Sequence, residues 1–96
     1  MHAVIRSYSG TGASKLADIL EARKDDVTKL MAPISGFVSY MFVRSEDGGT
    51  SITVCQDKSG TDESVRLAAD WVKENAAQSG VGAPNVTEGP VTIHST

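Results

Sequence analysis

The sequence predicts an α+β domain in the order β-α-β-β-α-β, and three observations predict it. The stretches Gly36 to Arg44 (GFVSYMFVR) and Thr50 to Asp57 (TSITVCQD) are rich in β-branched and aromatic residues. They flank a Gly/Asp turn at Ser45 to Gly49, which is a hairpin signature. Before the hairpin, Leu16, Ile19, Leu20, Val27, Leu30, Met31 and Ile34 recur at helical spacing. After it, Val65, Ala68, Ala69, Val72 and Ala76 do the same.

In order along the chain, His2 to Tyr8 alternates Ala3, Ile5 and Ser7 against Val4, Arg6 and Tyr8, the period of a strand. Ser9 to Gly12 breaks it. The first helix is expected from Ala13 to Met31, closed by Pro33 and Gly36. The hairpin follows. Phe37, Met41 and Val43 fall on one face of its first strand and Val38, Tyr40 and Phe42 on the other, so both faces ask for burial. Ser59 to Glu63 then supplies a turn, a capping hydroxyl and two carboxylates at a helix start, and the second helix is expected from Asp62 to Gln78. Ser79 to Pro84 ends it. The last strand is expected from Val86 to His94, weakened at Gly89-Pro90, where the missing amide demands an edge or a bulge. This order is the split β-α-β of ferredoxin-like domains, an antiparallel four-stranded sheet with both helices on one face, here filling residues 1–96 as one domain.

Composition narrows the function classes. A net charge of −3 and a pI near 5.2 provide no basic stripe for phosphate neutralisation, so nucleic acid is not an expected partner. No apolar run is long enough to span a bilayer, no secretion signal is read at the start, and the single cysteine, Cys55, suits a reducing compartment. The expected home is the cytoplasm. Gly10-Thr11-Gly12-Ala13-Ser14-Lys15 lacks phosphate-loop spacing and reads as a flexible turn. His2 and His94 give no metal-ligand spacing, so no metal is expected, and Cys55 reads as a small buried apolar group.

The chain resembles a dimeric α+β barrel of the antibiotic biosynthesis monooxygenase-like (ABM) group, particularly its small uncharacterised members. The resemblance spans nearly the whole length and rests on Ile5 to Tyr8, Pro33 with Gly36-Phe37, Ser51 to Val54 followed by Asp57, Asp62 to Ser64, Ala69 to Val72, and Glu74-Asn75. It implies two sheets packed face to face across a two-fold axis, with any ligand between one protomer's sheet and its helices. Some members are cofactor-independent oxygenases of aromatic polyketides, and some degrade haem. The haem branch places a Trp on the second helix, which Trp71 matches. It also needs a first-strand Asn, where this sequence has Ile5, and a helical His, for which there is no counterpart between His2 and His94. No haem and no other cofactor is therefore expected.

For the oxygenase branch, a site need only hold an ionisable substrate, stabilise its oxyanion and keep water out. Trp71, Asn75, Tyr40 and Ser7 are the candidates for stacking and hydrogen bonding there; each also has an ordinary packing or capping role open to it. The small residues Ala68, Ala69 and Ala76 suggest a pocket with Trp71 in its wall. Two function classes result. One is a homodimeric domain that binds a small apolar or aromatic molecule or serves as an interaction module; the other is a cofactor-free monooxygenase. The homodimer is expected because helices on one side cannot cover the other sheet face, to which Val4, Arg6 and Tyr8, with either Tyr40 or Phe42, are candidates to contribute.

Overall fold

Burial of alternate residues along the first strand marks which side of the sheet is inside. In the computed structural model, which describes residues 1–96, Val4, Arg6 and Tyr8 are buried while Ala3, Ile5 and Ser7 are half-exposed. The elements are β1 (His2–Tyr8), α1 (Ala13–Ala22), α2 (Lys24–Met31), β2 (Phe37–Ser45), β3 (Gly48–Cys55), α3 (Lys58–Asn75) and β4 (Asn85–Pro90). The strands form one antiparallel sheet in the order β2-β3-β1-β4. This is the expected ferredoxin-like arrangement.

The helices seal the face that carries Val4, Arg6 and Tyr8. Tyr8, Ala13, Leu16 and Ala76 join β1, α1 and the end of α3 in one cluster; Met31, Ile34, Cys55 and Ala68 join α2, β3 and α3 in another. The expectation that Val4, Arg6 and Tyr8 line an uncovered face is thus reversed. Pairing of Arg6 with Ser51 and of Phe42 with Ser51 puts Phe42 on the inner face, and Tyr40 joins it opposite Thr53. The outer face instead carries Ile5, Ile52, Val54, Met41 and Val43, the last two 51% and 54% exposed.

One irregularity explains a further difference. A register shift between Phe37 and Ser39 makes Val38 the extra residue, so Phe37 lies opposite Cys55 and packs inward instead of sharing a face with Met41 and Val43. A bulge reverses side-chain parity, which simple alternation cannot foresee.

Three boundaries also differ. The first helix is two, broken at Arg23, whose guanidinium donates to Asp26 Oδ2 at 2.7 Å and to Asn75 Oδ1 at 2.9 Å. Asp25 and Asp26 then stand in the first turn of α2, where a helix dipole favours them. The third helix starts at Lys58, because its small residues Gly60, Thr61 and Ser64 let its first turns lie against β3. The hydroxyls of Thr61 and Ser64 donate to the carbonyls of Lys58 and Thr61, so burying them leaves no donor unpaired. The last strand ends at Pro90, after which the Val91 amide donates to the Met1 carbonyl.

Candidate functional site

The inner face of the sheet has a polar centre in an apolar surround. Arg6 is 3% exposed, with Tyr8 beyond it on β1 and Ser51 beside it on β3. One guanidinium nitrogen donates to the Ser64 carbonyl at 3.3 Å, while Arg6 Nε, Ser51 Oγ and Thr53 Oγ1 are buried without a partner in the chain. Burial raises the pKa of Tyr8 and of Tyr40 above the usual tyrosine range, and the nearby Arg6 charge only partly counters it. Both tyrosines therefore remain neutral donors at physiological pH.

Two clefts open from this centre, one along each flank of α3, and Arg6, Tyr8 and Val72 line both. The narrower, about 20 Å³, is walled by Leu30, Met31, Tyr40, Ala68 and Trp71, and has room for little more than a water molecule. The wider, about 440 Å³, runs between α3, β4 and the segment 81–84, with Val65, Ala69, Ala76, Val81 and Val86 in its walls. Such a volume falls in the range of roughly 300–1,000 Å³ that small-molecule sites occupy. The segment 81–84 is held where it is by a close backbone approach: Gly12, at φ +83°, lies so near Ser79 and Val81 that any Cβ there would collide with backbone. A third, outer cleft of about 280 Å³ lies between the first two helices and β2.

The candidates named from sequence separate. Trp71 stands in the wall of the narrow cleft, and Tyr40 lines that cleft and the outer one. Asn75 lines neither. Its amide donates to the Trp71 carbonyl at 3.0 Å and its oxygen accepts from Arg23, whose guanidinium stacks 5.4 Å from the centre of the Trp71 ring. Asn75 thus fastens α3 to the α1–α2 junction. Ser7 lies on the outer face with its hydroxyl 3.3 Å from that of Thr50, away from the clefts. The expected concavity beside Trp71 is present but small; the alanines Ala69 and Ala76 line the larger one on the opposite flank.

Sequence reasoning missed Arg6. Its signal was a charged residue in register with Val4 and Tyr8, inside what proved to be the buried face. The first-strand residue that points toward the helices is Arg6 and not Ile5, which lies on the outer face. His2 is engaged elsewhere, with Nδ1 2.9 Å from Thr61 Oγ1 and Nε2 3.8 Å from a Glu88 carboxylate oxygen. Cys55 is fully buried, and burial raises its thiol pKa, as suits a packing group.

No family model and no curated protein matches the chain. Solved structures do. A protein of unknown function from Nitrosomonas europaea superposes with a TM-score of 0.70 at 18% identity, covering 99% of this chain and 91% of its own. A dimeric ferredoxin-like protein from an uncultured marine organism gives 0.66 at 8% identity, with 99% and 95% covered. The haem-degrader MhuD from Mycobacterium tuberculosis, with two haems bound in its active site, gives 0.61 at 15% identity, with both chains covered in full. The chain has the ferredoxin-like fold of these proteins. Antibiotic biosynthesis monooxygenase-like proteins share it too, in line with the resemblance read from sequence.

Proposed function

We propose that this protein binds a small apolar or aromatic molecule between its sheet and its helices, and does so as a homodimer joined through the outer sheet faces. The observation that carries the binding reading is the wider cleft: an apolar space of about 440 Å³ that ends on a buried polar centre. A tightly packed core has few voids larger than a water molecule, and buried polar atoms without partners are rare in one. The homodimer is supported by the outer face. Ile5, Ile52, Val54, Met41 and Val43 form an apolar surface that the helices of the same chain leave uncovered, and two-fold packing covers it in both copies at once.

Trp71 is the only tryptophan and stands beside the polar centre, so its fluorescence reports occupancy. Titration with the neutral aromatic probe 2-naphthamide should perturb it saturably. Ala69→Phe, which fills the wider cleft from an exposed position, should abolish the response. A linear, unsaturable response in the unaltered protein would leave the interaction-module reading in its place.

A second reading, cofactor-free oxygenation of an aromatic substrate, draws on the same wider cleft, since the narrow one walled by Trp71 and Tyr40 admits little more than a water molecule. A substrate that has lost an acidic C–H proton can itself reduce dioxygen, so the protein need only position it and exclude water. Oxygen uptake by metal- and flavin-free protein with an anthrone-type substrate, slowed by the cleft-filling Ala69→Phe, is the expected result. Uptake at the rate of the buffer control would remove this reading while leaving the first.

A further inference from the structure

The chain has four arginines, and three of them pair with carboxylates at the surface: Arg23 with Asp26, Arg44 with Asp18 and Glu21, and Arg66 with Glu63. Arg6, the buried one, has no acidic partner and a single carbonyl contact, leaving Nε free. A guanidinium cannot shed its proton in a protein, and an unpaired charge away from water costs several kcal/mol. The Tyr8 and Tyr40 hydroxyls interact with the guanidinium but keep their protons, so no group of the chain neutralises its charge. The wider cleft reaches this cation, and its one other charged lining residue, Lys73 at the exposed rim, is also cationic. The outer cleft differs: Glu21 lines it beside Arg44 and Lys24, and Arg44 is already paired.

We propose that the ligand is an apolar organic monoanion, the carboxylate of an aliphatic or aromatic acid, whose charged group pairs with Arg6 at the floor of the wider cleft while its hydrocarbon body lies along Val65, Val72, Val81 and Val86. This rests on the binding reading above and names the ligand class for the same site. A planar carboxylate matches the fork of a guanidinium, and the neutral Tyr8 hydroxyl stands beside it as a further donor. The pairing gains strength because Arg6 itself is buried at the cleft floor: a contact that gains little at a surface gains more around a desolvated charge. A phosphate ester fits less well, because its extra charge and oxygens would face aliphatic walls without donors.

The test compares octanoate and 2-naphthoate with their uncharged amides, octanamide and 2-naphthamide, by titration calorimetry. The acids are expected to bind the unaltered protein at least tenfold more tightly than the amides. Arg6→Gln should erase that advantage and Arg6→Lys should keep part of it, while Lys73→Gln, removing a screened rim charge, should reduce it less. Equal binding of acids and amides would overturn the monoanion assignment and leave the binding reading standing. An acid advantage undiminished in Arg6→Gln would overturn the role of Arg6. No binding of any probe at millimolar concentration would end both readings together. Should Arg6→Gln fail to fold, the acid-against-amide comparison in the unaltered protein decides alone.

Discussion

Replacing Arg6 by Met should make the ligand-free protein more stable. The guanidinium is 3% exposed, has no carboxylate partner, and donates one hydrogen bond, 3.3 Å long, to a carbonyl within α3. Against a desolvation penalty of several kcal/mol per buried ion, removal gives up a charge-assisted hydrogen bond of about 1.5–3 kcal/mol, near the lower figure at this length. Methionine keeps the apolar stem and fills much of the same volume, so packing changes little. The net gain is roughly 1–3 kcal/mol, or about 5–15 °C in Tm for a domain of this size. Thermal unfolding followed by far-ultraviolet circular dichroism measures it. The protein should first be unfolded and refolded to strip any carried ligand, and both forms compared at one protein concentration because a dimer's Tm depends on it. A Tm several degrees below that of the unaltered protein, with the spectrum intact, would mean that Arg6 is a net stabiliser. The argument for an anion-seeking cation would then be refuted.

Three further outcomes follow from the packing. If the proposed homodimer forms, Met41→Asp places a charge on the outer sheet face of both copies and should turn a dimer burying on the order of 2,000 Å² into monomer or aggregate; sedimentation reads this, and a stable dimer of the variant at micromolar concentration would count against the outer-face interface. Tyr40→Asp acts from inside, where Tyr40 packs on the cluster around Met31, and should destabilise the fold by roughly 3 kcal/mol or more in urea melts. Gly60→Ala should cost about 1–3 kcal/mol although alanine is the better helix former, because its Cβ would stand 2.8 Å from Cys55 Cβ and 2.9 Å from the Ser35 carbonyl oxygen; a gain in stability would show that α3 can lift off β3 there. Finally, the raised pKa values of Tyr8 and Tyr40 give a signed pH dependence. The unfolded chain loses these protons near the ordinary value of 10.0 while the folded protein keeps them, so their contribution is intact below pH 10.0 and is lost as pH rises above it. Alkaline urea melts with tyrosinate absorbance check this, and constant stability through that range would contradict the burial of both rings.

Local pattern was enough for the element order, because a hairpin and two amphipathic stripes leave few ways to bury their apolar faces. It was also enough to set Trp71 on the wall of a cleft, whereas Tyr40, a candidate for the uncovered face, turns inward. The break at Arg23 was not read: Leu20 and Val27, on either side of a charged stretch, keep the same helical phase, and the side chains that fix the break, Asp26 and Asn75, include one from a different helix. The early start of α3 was hidden because glycine and hydroxyl residues signal a turn unless a neighbouring strand rewards their smallness. Most consequential was the choice of inner face. Val4, Arg6 and Tyr8 could be assigned together by alternation, but alternation leaves the covered side open, and a bulge at Val38 moved Phe37 across the sheet. Which side the helices cover depends on strand order and crossover, properties of the whole chain. Fold class and the alternating sets of side chains were written in local pattern; that Arg6 lies inside, without an acidic partner, at the end of an apolar cleft emerged from packing alone, because burial is a relation among β1, α3 and β4 that no single segment contains.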